Sequence, residues 1–183
     1  MSEINKWKEA DFIKYYFIED YLFNTVTENF RSRGYLEPEE FFAIVIWKSN
    51  RAKTKVKQGL LLKGVTVHDL TAALTKEPTL EDKVKLLIEI SFIGLPMASA
   101  ILAVCYPDDF TVVDYRAIVS LKSLGQVVLS NPSENLLAYL AYNQICKERA
   151  IEVGCSLRNF DRYLWAKVFY EGINGLKVLA HGV

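Results

Sequence analysis

The chain's 183 residues are 51% hydrophobic, enough apolar surface for one packed core and too much for an intrinsically disordered protein. Its 22 basic and 22 acidic side chains cancel, which argues against a protein that holds nucleic acid by bulk charge alone. The longest apolar runs, FFAIVIW and ASAILAVCY, fall far short of the roughly 20 residues that cross a bilayer, and the opening MSEINKWKEADF lacks a signal peptide's apolar core. A cytoplasmic protein without a membrane partner is expected.

In chain order, Phe12, Tyr15, Tyr16, Ile18, Tyr21, Leu22 and Val26 recur at helical spacing and predict a long, largely buried helix from Asp11 to about Phe30, ended at Gly34. A second helix starts at EPEE, where Pro38 suits a first turn and acids suit the positive end. The stretch WKSNRAKTKVKQG carries Lys48, Arg51, Lys53, Lys55 and Lys57 with no acid. It predicts a third helix stopping at Gly64, and one basic patch that suits a phosphate-contacting edge or a solvated face equally.

TVHD and TLED each place Thr three residues ahead of Asp, a weaker form of the capping box, before apolar runs near residues 67–75 and 80–92. Val84, Leu87, Ile88 and Phe92 are read as inward. Further helices are expected at about 97–106, 115–124, 133–152 and 160–171, the third begun by Ser133 after Asn131-Pro132. FTVV and QVVLS are too short to build a sheet. The fold class is therefore all-α, with eight to ten helices.

Cys105, Cys146 and Cys155 have no Cys-x-x-Cys spacing, so they read as buried thiols, with no disulfide framework, zinc or iron–sulfur site indicated. His68 and His181 lie too far apart in sequence to suggest a metal site or a Cys/His nucleophile pair. No metal or cofactor is implied.

The most specific stretch is KVKLLIEISFIGLPMASAILAVCYPDDFTVVDYR. An amphipathic helix breaks at IGLP and resumes as a helix whose Ala98, Ser99, Ala100 and Ala103 let a partner helix approach closely. Gly94 is read as taking a backbone conformation that side chains resist. The amides at the start of the second helix point outward with the positive end of the dipole, so the hairpin can hold a phosphate without a charged side chain.

IGLP between two helices resembles the helix-hairpin-helix element. Together with YPDDFTVVDYR, which is similar to the Pro-apolar-Val-Asp segment, it resembles the helix-hairpin-helix DNA glycosylase superfamily. FFAIVIWKSNRAK and NFDRYLWAKVF are weaker likenesses to that family's DNA-facing turn and C-terminal helix. The resemblance implies a single all-α domain of two helical lobes, with the hairpin at about 81–106 and Asp114 beginning the next helix as the catalytic carboxylate. It also implies that Gly94, Leu95, Ala98, Ser99, Lys48 and Arg51 hold the DNA backbone. Trp47, Ser49, Asn50 and Tyr115 are then expected at the substrate pocket, and a monovalent cation at the hairpin.

Three departures qualify the likeness. Ala98 stands where bifunctional members carry a nucleophilic Lys, so no Schiff base forms by that route and lyase activity is not expected. Pro96 replaces the second hairpin Gly and removes one N–H. The family's iron–sulfur cysteines are missing. Asp114 reads both as an N-cap and as a substrate-facing acid, and the two are compatible. Arg116 reads as a partner of Asp108 or Asp109, or as a cleft residue; Trp47 reads as core or as a stacking surface. The function expected is a monofunctional DNA base glycosylase releasing a damaged or mispaired base. The alternative is an inactive helix-hairpin-helix module that binds nucleic acid or a protein partner.

Overall fold

The computed structural model describes residues 14–126, 129–131, 133 and 135–181, with side chains to residue 175. Among these the chain is all-α, with nine helices and no strand. Ile18–Asp20, a π-helical stretch Tyr21–Val26 and Thr27–Arg33 run on as α1. Then follow α2 (Pro38–Ser49), a 3-10 turn Asn50–Ala52, α3 (Lys53–Lys63), α4 (Val67–Leu74) and α5 (Leu80–Ile88). The remaining helices are α6 (Leu95–Cys105), α7 (Tyr115–Ser123), α8 (Leu136–Glu152) and α9 (Leu157–His181). None of the described helices is long and apolar enough to cross a membrane.

The helix starts are set by side chains that satisfy otherwise orphaned amides. Glu37 and Glu40 close a reciprocal capping box around Pro38. Thr66 accepts from Asp69 N (3.0 Å) and Thr79 from Asp82 N (3.0 Å), and each Thr hydroxyl donates in return to that Asp's carboxylate. At α8 the cap is Asn135, which accepts from Ala138 N at 2.8 Å, rather than the expected Ser133. Ser133 N donates to Asn131 Oδ1 instead, so the polar pair closes a turn ahead of the helix. Likewise α9 starts earlier than expected, with the Ser156 hydroxyl accepting from Asn159 N. Gly34 and Gly64, at φ +79° and +72°, end α1 and α3 in the left-handed conformation.

One hydrophobic cluster runs from Tyr21 to Leu164. At its middle lies α6, buried on all sides except at Pro96, as expected of a helix that is apolar all round. α6 packs on α1, α2 and α5, while α7 and α8 pack on α9. The aromatic start of the first helix departs from expectation. Tyr21, Leu22, Val26 and Phe30 are buried, but Tyr15, Tyr16 and Phe17 face outward, and the predicted residues 11–13 lie outside the described range.

The α5–α6 hairpin also differs from its sequence reading. Gly94 has φ −87° and ψ 175°, open to any residue, and a methyl there would meet nothing closer than Pro96 Cδ at 3.8 Å. The positive φ belongs to Phe92 (+71°), whose ring is half exposed instead of packed inward; Ile90 is buried in its place. A bulky residue at positive φ is strained, so the turn is held by its surroundings. Gly59 of α3 supplies one of them. A Cβ there would lie 1.9 Å from Ser91 O, so α3 lies against the hairpin backbone at a distance only glycine allows.

Candidate active site

Asp114 caps α7 through one oxygen, Oδ1 accepting from Ala117 N at 2.8 Å. The residue is half buried and borders an open cleft of about 880 Å³. Four parts of the chain build this cleft: Glu19 of α1; Trp47 and Lys48 at the end of α2; residues 112–116; and a face of α9 carrying Arg158, Asp161, Arg162 and Trp165.

Residues 111–113, which deliver Asp114, are buried and lie outside any helix, and their backbone bonds go to side chains. Thr111 O accepts from Tyr139 Oη (3.1 Å), Val112 O from Tyr142 Oη (3.2 Å) and Val113 O from Lys48 Nζ (3.1 Å). Thr111 N donates to Asn143 Oδ1 (2.8 Å) and Val113 N to Ser99 Oγ (3.1 Å). Side chains of α2, α6 and α8 together thus satisfy most of the buried backbone groups of this segment.

The basic stretch divides. Arg51, Lys53, Lys55 and Lys57 are exposed around α3, but Lys48 turns inward to the cleft. Burial holds the Lys48 ammonium below the usual lysine range, with nearby Arg158 acting the same way against the pull of Asp114 and Asp161. Asp161 is buried; burial pushes its carboxyl up to about 6, with Asp114 adding to the rise while Arg158 and Lys48 oppose it. Arg158 donates to both Asp161 and Glu19, and its guanidinium lies over Phe23 (4.1 Å to the ring centre) and Trp47 (5.5 Å). Arg158 Nε is buried without an acceptor among the described residues. Arg162 adds a 2.8 Å bond to Glu19.

Of the predicted residues, Asp114, Trp47, Lys48 and Tyr115 meet at the cleft, joined by Arg116. Trp47 is half buried, edge-on to Phe23, so it is both packed and cleft-facing. Arg116 pairs with neither acid proposed for it. Asp108 is taken by Arg31 and Asp109 by Lys147 (each 3.0 Å), and the Arg116 guanidinium lies 5.3 Å from the Trp165 ring centre. Ser49 ends α2, Asn50 and Arg51 begin the turn after it, and none of the three lines the cleft.

Ala98 and Ser99, expected against the DNA backbone, are wholly buried. The Ala98 amide donates to Gly94 O, and the Ser99 hydroxyl is engaged by Pro96 O and Val113 N, so neither residue presents an atom to a phosphate. Exposed Gly94 and the first amide of α6, at Leu95, remain; neither amide has an acceptor among the described residues. Cys105 and Cys146 are buried, with burial raising both thiols, and Cys155 is half buried. His68 is exposed against Tyr35, and the side chain of His181 lies outside the described range.

Sequence reasoning missed Glu19, Arg158, Asp161 and Trp165. The available signal was the pattern Arg158, Asp161, Arg162, Trp165, which at three- and four-residue spacing puts these side chains on one helical face. Comparison of the chain with protein-family profiles, curated proteins and solved structures finds no match in any of the three.

Proposed function

We propose that the protein is a monofunctional DNA base glycosylase of the helix-hairpin-helix type, releasing a damaged or mispaired base with Asp114 as its catalytic carboxylate. The observation that carries this reading is the position of Asp114. It combines a capping oxygen tied to Ala117 N with a place on a cleft whose volume suits one extruded nucleotide. As the glycosidic bond breaks, positive charge grows on the sugar, and a carboxylate fixed beside C1′ stabilises it or takes a proton from the attacking water. Trp47, Tyr115 and Trp165 offer aromatic surface to the extruded base. Exposed Gly94 and the Leu95 amide, with Arg51 nearby in sequence to the cleft, offer backbone contacts. Free thiols at Cys105, Cys146 and Cys155 suit a reducing compartment, so the reading includes a cytoplasmic location.

The test is base release from duplexes bearing alkylated, oxidised or mismatched bases, with abasic products cleaved by alkali. Release that is lost in Asp114→Asn supports the assignment; release at full rate in that variant overturns it. The second reading is a binding module without catalysis, favoured by Pro96 and by the burial of Ala98 and Ser99, which leave few hairpin donors. Its signature is DNA binding that weakens steeply with salt in the absence of any base release.

A further inference from the structure

At the mouth of the cleft, α9 and the start of α7 leave aromatic rings in water. Tyr115, Trp165 and Phe169 are all exposed, although a folded chain gains by covering rings of this size. Trp165 forms part of the cleft wall. Phe169, one turn further along α9, lies against it with ring centres 5.3 Å apart and planes 15° from parallel. The exposed Arg116 guanidinium lies 5.3 Å from the Trp165 ring centre and has no carboxylate partner among the described residues. Nearby acids of α1 and α9 are committed elsewhere: Glu19 to Arg158 and Arg162, Asp161 to Arg158, and Glu171 to Lys167. What is left is a layered aromatic surface with one uncommitted cation, running out of the cleft.

We propose that this surface stacks the bases of an unpaired DNA strand leading into the cleft, so that the substrate is a damaged base whose neighbours are not in a duplex. The inference rests on the base-release reading and narrows its substrate. In a duplex both faces of each base are covered by its neighbours, and rings outside the cleft have nothing to stack on. In an unpaired strand the faces are open, and aromatic side chains hold such strands without reading their sequence. Arg116 suits the same occupant, since its plane stacks and its N–H groups reach a phosphate. An apolar helix would be met by a groove of aliphatic side chains; a guanidinium, an indole and a phenyl ring in contact suit flat π-systems instead. Stacking also supplies affinity that a chain of zero net charge does not draw from bulk electrostatics.

The experiment uses the full chain, a fluorescent single-stranded oligonucleotide without a lesion, and the duplex of the same sequence. The single strand is expected to bind about ten-fold more tightly than the duplex. Phe169→Leu keeps an apolar helix former but removes the ring, and should weaken single-strand binding about ten-fold; Phe169→Tyr keeps the ring and the affinity. In the wild type, ultraviolet crosslinking to a strand carrying iodouracil should map to Tyr115, Trp165 or Phe169, which decides the matter without any variant. Four results overturn the proposal: a duplex bound as tightly as the single strand, no single-strand binding, crosslinks confined to other residues, or a wild-type dimer that Phe169→Leu dissociates, which would put a second copy of the chain on this face. Base release is scored separately on a lesion in single-stranded and in duplex DNA. Ring-dependent single-strand binding without release from either form overturns the glycosylase reading alone; release from duplexes with no single-strand preference overturns the stacking surface alone.

Discussion

The α5–α6 hairpin and the cleft at Asp114 are neighbours, linked by the bond from Val113 N to Ser99 Oγ, yet they are built on opposite plans. The hairpin is continuous in sequence: some twenty-five consecutive residues, most of their large apolar side chains turned inward, with free amides at Gly94 and Leu95 and charged side chains along the outer face of α5. The cleft is assembled from four separate parts of the chain, and its chemistry lies in charged side chains taken partly out of water. A local motif tolerates change in its side chains as long as the turn survives. An assembled site depends on the identity of each charge and on every element that carries one.

The contrast is broken most directly at Asp114. Asn also caps a helix, so Asp114→Asn is expected to cost less than about 1 kcal/mol of stability while reducing base release by about 100-fold or more. Rate measurements beside thermal unfolding separate the two roles.

The electrostatic side of the contrast is read at Asp161. Its folded-state value, pushed up to about 6 by burial, lies above that of an unfolded aspartate, so the folded protein binds the proton more tightly. Wild-type stability therefore falls as pH rises from about 4 to about 6, and the loss is complete above that window. Asp161→Asn removes this dependence: measured by urea unfolding, the variant should gain roughly 3 kcal/mol on wild type between pH 4 and pH 7. A difference that does not vary with pH would show that Asp161 carries no such strain.

At the hairpin the largest effect is expected away from its own sequence. Gly59→Ala drives a methyl into Ser91 O and should destabilise the fold by about 1–3 kcal/mol, while Gly94→Ala meets only ordinary contacts. Equal losses at the two glycines, compared by denaturant titration, would remove the distinction drawn between them. Smallest of all is Pro96→Gly, which restores an N–H in the first turn of α6. A cost of up to about 1 kcal/mol in stability is expected, together with a modest gain in DNA retention at low salt; unchanged retention means that the hairpin does not grip phosphate.

The helices were legible because their signals are short-range. Thr66, Thr79 and Asp114 each announce a helix start within four residues, and Gly34 and Gly64 announce stops. The α6 core was legible for the same reason. Gly94 and Phe92 were misread because the hairpin's shape is imposed by α3 through Gly59, which stands more than thirty residues away. Of the two readings of Arg116, the ion pair failed because Asp108 and Asp109 are claimed by Arg31 and Lys147 on other helices, and the cleft position held. Asp161 and Arg158 had a visible helical period but no visible counterpart, since Glu19 lies 139 residues from Arg158.

The buried, non-helical residues 111–113 make most of their backbone hydrogen bonds with side chains rather than with a neighbouring backbone. A backbone strand normally relies on a second strand, and a whole ladder must shift if it shifts. Here each rung is a separate side chain, Tyr139, Tyr142 and Asn143 from α8, Lys48 from α2 and Ser99 from α6. The amide hydrogens of Thr111 and Val113 should exchange with solvent as slowly as those inside helices, although no regular structure contains them. The rungs can also be removed one at a time. Deleting a single hydroxyl, as in Tyr139→Phe, frees one carbonyl and leaves the others in place, so the aim of Asp114 is adjustable in small independent steps.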